Sequence, residues 1–375
     1  MKNKIKVYLQ FPWRFSDPIF YKSMIKYPPK SIEYIFKDNI KSKKNLNFSF
    51  LNKVKKTIRA ILQKIYPSLP NARLTKTKEK YDLIHCAHCL SLNKKSWVAD
   101  IEFPSQLWMC GKERRDKAKN ILKLLKNKNC KSILTWTKVA KKSIIDSLGD
   151  KEIGKKIEVV YPAIPFPEIK KKKHKGINLL FVGRYFIGKG GHHVIKVFDY
   201  LTKKYKDVNA IFVSNIPKKI KEKYSKNKKI KIFDIIPQEI LFKEIYPKSD
   251  IFVYPGYSDS FGFAMIESMS YGIPVITVDG YSKEEIVKDM KTGLLIKSEG
   301  KISTQEIKKR DKNLDKKLIK DLIKKTLYLI KNEKLRKKMS NECLKEIKSG
   351  RFSIKNRNKR LEKIYLAAIK KDGTS

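Results

Sequence analysis

The stretch Ser249–Asp279 constrains the fold of this chain more than any other. It opens with an apolar run, Ile251–Tyr254, whose β-branched and aromatic residues predict a buried strand. Apolar residues then recur at helical spacing from Phe261 to a stop at Gly272, and a second strand is predicted over Pro274–Val278. The order strand, loop, helix, strand is typical of a parallel sheet with helical crossovers.

Two acidic residues are built into this unit. Asp259 lies in the loop before the helix, and Glu267 lies inside the helix, eight positions later. The loop and the first helical turn therefore present backbone N–H groups and a carboxylate at one point, which suits a hydroxyl-rich ligand that carries phosphate. The alternative is that Ser260 caps the helix and Glu267 is a solvated surface residue.

The segment DSFGFAMIESMSYGIPVI resembles the signature of retaining glycosyltransferase family 4, whose members have the GT-B fold. Phe261-Gly262, Glu267 and Gly272–Val275 stand where that signature has them. Asp259 stands where the family usually has Glu, which keeps the charge but shortens the arm. The resemblance implies an α/β chain of two doubly wound Rossmann-like domains that face each other across a cleft.

The resemblance and the composition together predict three segments. Residues 1–165 would form an N-terminal, acceptor-binding Rossmann-like domain, and residues 176–350 a C-terminal domain that binds the nucleotide sugar. Residues 351–375 would form a helix that crosses back to the first domain. Pro162–Lys175, with three prolines and a run of lysines, has the composition of a linker. The resemblance is strong over residues 177–296 and only topological over the first domain.

A basic, glycine-rich loop, GRYFIGKGGHH, follows the predicted strand Ile177–Val182. Glycines let backbone N–H groups approach a phosphate, and Arg184 and Lys189 can neutralise it. The loop also fits the first part of a P-loop, but Gly190 stands where that motif requires the Mg²⁺-binding Ser or Thr. In family 4 the matching Arg and Lys hold the donor diphosphate, so the resemblance implies that role here.

The resemblance implies further contacts to the donor. Glu267 would hold the ribose hydroxyls, Asp259 would hold the sugar, and the backbone of Ile236 would pack against the base. The other residues expected at the donor are Gly183, Gly190, Phe261, Gly262 and Phe263. No metal and no other cofactor is expected, because two cations and a helix N-terminus can stabilise the leaving nucleotide diphosphate.

The segment WVADIE, residues 97–102, has two interpretations. Asp-x-Glu resembles the metal-binding Asp-x-Asp of the other large glycosyltransferase fold, GT-A. We favour a strand of the N-terminal GT-B domain with Glu102 at its end, near the reacting sugar, because a subset of family 4 has an acidic residue in a similar context. The nearby HCAHC has the CxxC spacing of a zinc site, but no second pair follows, so we expect strand-end residues there.

Charge bears on the partners of the chain. Its 375 residues include 87 Lys+Arg against 37 Asp+Glu, a net charge of +50. Two explanations stay open: the codon usage of an AT-rich genome, and an anionic partner. Lys41–Tyr66 is a basic amphipathic stretch that would either pack on its own domain or rest on an anionic bilayer. No signal peptide or spanning run is visible, so we expect a cytoplasmic protein that can bind the cytoplasmic membrane face.

The prediction is a metal-independent, retaining glycosyltransferase that moves a sugar from a nucleotide sugar to a glycan or lipid-linked acceptor in cell-surface polysaccharide, glycolipid or glycoprotein assembly. Three other classes stay open: a P-loop NTPase, a basic nucleic-acid-binding protein, and a GT-B protein that binds its ligand without turnover because Asp259 replaces Glu. The preponderance of Lys over Arg disfavours base-specific recognition, so nucleic acid is not an expected partner.

Overall fold

The computed structural model describes residues 4–10, 19–36, 57–58, 61, 65–66, 69–109, 113, 115–257, 259–298 and 312–370. Most of the basic stretch Lys41–Tyr66 lies outside these residues. The chain divides into two compact units, Met1–Ala163 with Ile354–Ser375, and Ile164–Ser353. The predicted boundaries at 165 and 350 differ from these by a few residues.

The first unit is built on a six-stranded parallel sheet of order β2-β1-β4-β6-β7-β8. In chain order its strands are β1 (Ile5–Gln10), β2 (Ile32–Ile35), β3 (Ala72–Arg73), β4 (Leu83–Ala87), β5 (Leu90–Ser91), β6 (Trp97–Asp100), β7 (Cys130–Thr135) and β8 (Ile157–Val159). β3 and β5 pair separately. Its helices include α1 (Ile19–Lys26), α2 (Lys119–Lys126) and α3 (Lys138–Leu148). The central strands are buried along their whole length, as strands of a parallel sheet usually are.

The second unit is built on another six-stranded parallel sheet, of order β11-β10-β9-β12-β13-β14. Its strands are β9 (Ile177–Tyr185), β10 (Val208–Asn215), β11 (Ile230–Phe233), β12 (Ile251–Val253), β13 (Val275–Val278) and β14 (Gly293–Ile296). Counted within the unit, this order is 3-2-1-4-5-6, the arrangement of a dinucleotide-binding Rossmann sheet. The strands predicted over Ile177–Val182, Ile251–Tyr254 and Pro274–Val278 are present as β9, β12 and β13, with ends that shift by one to three residues.

The helices of the second unit include α4 (Gly191–Lys204), α5 (Lys218–Ser225), α6 (Gln238–Ile240), α7 (Phe263–Ser270), α8 (Lys283–Ile286), α9 (Lys312–Lys331) and α10 (Glu333–Lys348). α9 buries Leu318, Leu322 and Leu329 on one face, at the spacing of an amphipathic helix. Among the described residues, no helix is both long and apolar enough to cross a bilayer.

The last helix of the described chain, α11 (Ile354–Lys370), packs in the first unit. The guanidinium of Arg357, which is 2% exposed, donates to Ser23 Oγ at 2.7 Å and to the Tyr27 carbonyl at 2.7 Å. Burial lowers the pKa of Arg357 to about 10. Farther along α11, the Tyr365 hydroxyl lies 2.6 Å from His85 Nδ1 on β4. Polar contacts at both ends therefore fix this helix to α1 and to the sheet.

Two predicted helices differ from the structure. The sequence of Pro237–Tyr246 predicts one helix. In the structure this segment is α6 followed by a π-type turn, Leu241–Ile245, and a 3₁₀ turn, Tyr246–Lys248. A wide π-type turn advances the backbone by less rotation per residue than an α-helix, which changes the direction of the side chains after it. The helix predicted from Phe261 begins two residues later, at Phe263, with Gly262 as its N-cap. The alternative in which Ser260 caps this helix is therefore wrong.

Candidate active site

Two loops meet where the strand order of the second sheet reverses. β9 and β12 are neighbours, but the chain runs from β9 to β10 on one side and continues from β12 to β13 on the other. In open α/β sheets, ligands bind beyond the carboxyl ends of the strands at such a switch point. The loop after β9, residues 186–190, and the loop after β12, residues 254–262 except 258, form the candidate site; we name them the β9 loop and the β12 loop.

The β9 and β12 loops lie directly against each other. Gly190 has a left-handed φ of +81°, and a Cβ at this position would lie 2.7 Å from Pro255. A side chain at residue 190 would therefore be strained and would push the loops apart. The Gly256 N–H donates to the Lys189 carbonyl at 3.2 Å, and the Tyr257 hydroxyl lies 2.7 Å from His193 Nδ1. These contacts hold the two loops in one arrangement.

An ion pair joins the two loops. Lys189 Nζ lies 2.9 Å from Asp259 Oδ1, and the two side chains are 15% and 12% exposed. The other carboxylate oxygen, Asp259 Oδ2, accepts a hydrogen bond from the Tyr254 hydroxyl. Burial and the Asp259 charge raise the pKa of Tyr254, so its hydroxyl stays protonated as a donor. The structure thus brings together the lysine and the aspartate that the sequence places seventy residues apart.

The other predicted diphosphate ligand, Arg184, lies near the end of β9 and is exposed. Its neighbour Gly183 is buried, and a Cβ at this position would lie 2.9 Å from Cβ of Lys189. Because Gly183 has no side chain, the Lys189 side chain can lie close to β9. Both predicted cations lie at the switch point: Arg184 near the carboxyl end of β9, and Lys189 in the β9 loop.

Glu267 is a buried residue of α7, with 4% of its surface exposed, so the alternative of a solvated surface acid is wrong. Tyr246 donates its hydroxyl to Oε2 at 2.7 Å, and Gln238 donates its amide to Oε1 at 2.9 Å. Burial raises the pKa of the Glu267 carboxyl, and the two hydrogen bonds oppose that rise only in part. A carboxylate that accepts one hydrogen bond at each oxygen is held in place and still has lone pairs that can accept from a further hydroxyl group.

The start of α7 lies beside the carboxylate of Asp259. Gly262 has a left-handed φ of +86°, and a Cβ here would meet Met265 Cε at 2.5 Å and lie 3.5 Å from Asp259 Oδ2. Phe261 is fully buried and Phe263 is half-buried. The N-terminal N–H groups of α7 therefore lie close to Asp259, where the helix dipole favours negative charge.

Ile236 is half-buried and follows β11, the third strand of the Rossmann order. Asp234, two residues before Ile236, is exposed, and its carboxylate lies 2.7 Å from Lys221 Nζ. The side chain of Asp234 is therefore directed into a surface ion pair.

Sequence reasoning missed Lys283, a buried lysine of α8. Its Nζ donates to the Gly256 carbonyl of the β12 loop at 3.0 Å. Tyr246, Tyr254 and Gln238, which hold the two predicted carboxylates, were missed as well. The sequence signal is weak: Lys283 stands in the polar run YSKEE, which is typical of a surface turn.

In the first unit, Glu102 follows β6 and is held by its neighbours. Its N–H donates to Gln106 Oε1 at 2.8 Å, and its carboxylate lies 3.4 Å from His88 Nε2. His88 has a left-handed φ of 55° and is 2% exposed. Two residues earlier, at the end of β6, Asp100 Oδ2 lies 2.8 Å from His85 Nε2, with both side chains fully buried. The HCAHC histidines thus pair with the acids of WVADIE.

Among the described residues, one group could offer three ligand atoms to a metal ion: His192, His193 and Asp315, whose ligand atoms all lie within 4.8 Å of one another. His193 already bridges two partners, with Tyr257 at Nδ1 and Asp315 2.8 Å from Nε2. Burial lowers the pKa of His193, which favours its neutral form. We interpret the group as a structural link between α4, α9 and the β12 loop.

Comparison with known proteins agrees with this architecture. Residues 165–345 match the family model of glycosyl transferases group 1. A solved structure of Anabaena Alr3699/HepE in complex with UDP-glucose aligns with a TM-score of 0.58 at 11% identity, over 96% of this chain and 98% of that one. The fold is GT-B. WaaG, described as a glycosyltransferase involved in lipopolysaccharide biosynthesis, aligns with a TM-score of 0.58 at 14% identity, over 96% of this chain and 99% of that one.

A sequence relative extends the GT-B comparison. An uncharacterized 41.2 kDa protein in the cps region of Klebsiella pneumoniae is 25% identical over 249 residues, which is 61% of this chain and 61% of that protein. The chain thus spans less than two thirds of the length of that relative. The predicted GT-B fold class is confirmed.

Proposed function

We propose that this protein is a retaining glycosyltransferase that moves a sugar from a nucleotide-sugar donor to a glycan or lipid-linked acceptor. One observation carries the proposal: Lys189, Asp259 and the N-terminal end of α7 meet at the switch point of a GT-B Rossmann sheet. A cation, a hydrogen-bond acceptor and a helix N-terminus at one point match the diphosphate and the hydroxyl groups of such a donor.

The leaving group is a nucleoside diphosphate. As the bond from sugar C1 to the phosphate oxygen breaks, negative charge grows on that oxygen, and Lys189, Arg184 and the N–H groups of α7 stabilise it. Preorganised charge of this kind can supply much of a rate enhancement. These groups belong to the protein, so we propose that the reaction needs no metal ion.

The two carboxylates have different roles. Glu267, fixed by Tyr246 and Gln238, accepts hydrogen bonds from the donor ribose. Asp259 shares its charge with Lys189 and accepts from the sugar, together with the backbone of residues 261–263. Gly183 and Gly190 let the β9 loop approach the phosphates, and the backbone of Ile236 packs against the base.

In the proposed retaining step, the acceptor hydroxyl attacks sugar C1 on the face from which the phosphate leaves. The new C1–O bond forms as the C1–phosphate bond breaks, and the hydroxyl proton passes to the departing phosphate oxygen. Glu102, positioned by His88 and Gln106 in the first unit, contacts the reacting sugar.

The comparisons support the choice of substrates. HepE is described in complex with UDP-glucose, and WaaG as involved in lipopolysaccharide biosynthesis. Nucleotide sugars and glycan or lipid-linked acceptors are therefore the first substrates to test. The charge of +50 suits an acceptor at an anionic membrane face, where basic side chains give reversible binding.

The test is a thermal-shift screen of the whole chain with UDP-, GDP- and ADP-sugars, because a ligand that binds only the folded state raises the melting temperature. A donor that binds is then incubated with and without EDTA, and NMR records the anomer of the released or transferred sugar. We expect one donor class to bind, EDTA to have little effect, and the anomeric configuration to be retained.

Other results would identify the alternatives. Binding without hydrolysis or transfer would indicate a GT-B protein without turnover. Activity abolished by EDTA and restored by Mn²⁺ would contradict the metal-independent step and point to Asp100 and Glu102 as a metal motif. Binding to nucleic acid that collapses with added salt, with no response to nucleotide sugars, would contradict the proposal as a whole.

A further inference from the structure

Lys283 is a charged side chain that the mechanism above leaves unused, although it reaches the candidate site. It opens the short helix α8 and is 1% exposed. Lysines are almost never fully buried unless they are paired, because an ammonium loses its hydration. A buried lysine behind a ligand-binding loop therefore needs an explanation.

The contacts of Lys283 connect it to the β9 loop through one residue. Its Nζ donates to the Gly256 carbonyl at 3.0 Å, and the Gly256 N–H donates to the Lys189 carbonyl at 3.2 Å. Gly256 has a left-handed φ of +57°, and a Cβ there would lie 2.7 Å from the Tyr254 ring. Gly256 is thus hydrogen-bonded to Lys283 through its carbonyl and to Lys189 through its N–H. It also lies beside Tyr254, which donates to Asp259.

We propose that Lys283 is a positioning residue of the donor site, whose ammonium fixes the β12 loop against the β9 loop and adds positive charge behind the bound diphosphate. This inference rests on the proposed function, and it adds a third cation to the donor site, beside Arg184 and Lys189. In the ligand-free protein the carboxylate of Asp259 pairs with Lys189, so Lys283 relies mainly on a neutral carbonyl.

The surroundings of Lys283 link its proton to ligand binding. Burial lowers its pKa to about 8, and the positive charge of Lys189 acts in the same direction. The carboxylates of Asp259, Asp279 and Glu284 oppose this shift. The Tyr281 ring centroid lies 5.2 Å from Nζ. An entering diphosphate brings further negative charge and therefore raises the pKa of Lys283.

The sign of the linkage follows from that rise. Below about pH 8 Lys283 already carries its proton, and binding takes up none. Above that pH, binding of a diphosphate takes up as much as one proton. Affinity then falls by up to about tenfold per pH unit, until the pKa of the bound state is passed.

The experiment is isothermal titration calorimetry of UDP with the whole chain at pH 7.0 and pH 9.0, in two buffers of different ionisation enthalpy. The buffer dependence gives the number of protons taken up. We expect the wild type to take up close to no proton at pH 7.0 and a large fraction of one at pH 9.0. Lys283→Met should weaken UDP binding about tenfold or more at pH 7.0 and abolish the uptake.

Two variants make the test specific. Lys283→Arg keeps a cation and its donors but does not titrate, so it should bind UDP at pH 7.0 and show no uptake at pH 9.0. Lys203→Met removes one charge from a 66% exposed lysine of α4 and should behave as the wild type. Should Lys283→Met fail to fold, the arginine variant and the wild-type proton count still decide the question.

The outcomes separate the two proposals. If the wild type binds UDP and Lys189→Ala weakens that binding, while uptake at pH 9.0 is absent or persists in Lys283→Arg, the role of Lys283 is overturned and the donor site stands. If the wild type does not bind UDP or any other nucleoside diphosphate at either pH, the proposed function is overturned, and the role of Lys283 with it.

Discussion

Lys189 Nζ lies 2.9 Å from Asp259 Oδ1, across the junction of the β9 and β12 loops. In the proposed enzyme both groups contact the donor, so the ion pair holds each side chain in place before the donor arrives. The side chains are neither fully buried nor free in solvent. A partly exposed pair of this kind can exchange one partner for a ligand group at modest cost, unlike a fully buried one.

Asp259→Asn should have opposite effects on nucleotide binding and on turnover. The amide can still accept the Tyr254 hydrogen bond, but the charge that occupies Lys189 is gone. UDP should therefore bind at least as tightly as to the wild type, while sugar transfer falls about tenfold or more because the sugar loses its carboxylate. Calorimetry with UDP and initial rates with the nucleotide sugar measure the two effects.

The matched control is Asp234→Asn, which removes an exposed carboxylate that pairs with Lys221. This variant should leave the UDP affinity and the rate of sugar transfer at their wild-type values. If Asp259→Asn lowers UDP affinity and turnover by the same factor, Asp259 acts on the nucleotide and its assignment to the sugar is contradicted.

Glu267→Gln should separate stability from binding. Burial raises the pKa of this carboxyl, so its contribution to stability is fully present below the unfolded value of about 4.3 and is lost as pH rises through the folded value. The glutamine variant should therefore melt at the same temperature as the wild type, or higher, at pH 7. That advantage should shrink toward pH 4.

The affinity of Glu267→Gln for the nucleotide sugar should fall about tenfold or more at pH 7, since a hydrogen bond from ribose to a charged acceptor is lost. Glu239→Gln, at an exposed residue that pairs with Lys243, is the control for charge. A glutamine variant with lower stability at pH 7 and unchanged donor affinity would indicate a structural acid and remove Glu267 from the donor site.

Arg357→Met should destabilise the first unit. The substitution removes the guanidinium donor from the buried Ser23 hydroxyl and from the Tyr27 carbonyl, which keeps the Asn358 amide as a donor. We therefore expect a cost of about 1–3 kcal/mol, mainly from the buried Ser23 contact. Trp97, Trp108 and Trp136 are buried in this unit, and the second unit contains no tryptophan, so tryptophan fluorescence in a urea titration reports the unfolding of the first unit. Lys359→Met, on the exposed side of α11, should leave the midpoint unchanged. Equal midpoints for both variants would contradict the anchoring role of Arg357.

Binding to anionic vesicles tests the membrane proposal. Vesicles with anionic lipid should sediment the protein, and binding should weaken with salt because the attraction decays within a Debye length of about 8 Å at physiological ionic strength. Changing Lys53, Lys55, Lys56 and Arg59 together to Gln should release it, since each basic group contributes about 1 kcal/mol.

The control variant changes four exposed lysines of α9, Lys316, Lys317, Lys320 and Lys324, to Gln. It loses the same charge from the second unit and should still bind vesicles. Equal loss in both variants would mean that the net charge of +50 acts without a dedicated surface, and equal binding to neutral vesicles would exclude an electrostatic origin.

Much of the fold was predictable because its information is local. Apolar runs such as Ile251–Val253 identify buried strands, and the GRYFIGKGGHH glycines mark the loop that opens α4. The Rossmann order then brings the ends of β9 and β12 together, which predicts that Lys189 and Asp259 lie close.

The support around these residues was not predictable. Tyr246, which donates to Glu267, directly follows a π-type turn in a segment whose sequence predicts a regular helix, and no periodic pattern signals that turn. Lys283 is buried, and its ammonium contacts the β12 loop at Gly256, so its polar sequence context predicts the opposite of its environment.

The most direct measurement is the rate of sugar transfer or release from a nucleotide sugar by wild type, Lys189→Ala and Lys196→Ala, which loses an exposed lysine of α4. If Lys189 stabilises the leaving diphosphate, its loss should lower kcat/KM by about 10² or more, and the control should match the wild type. Equal kcat/KM for all three proteins, or no activity on any nucleotide sugar from wild type, would contradict the assignment of the switch-point loops as the donor site of a glycosyltransferase.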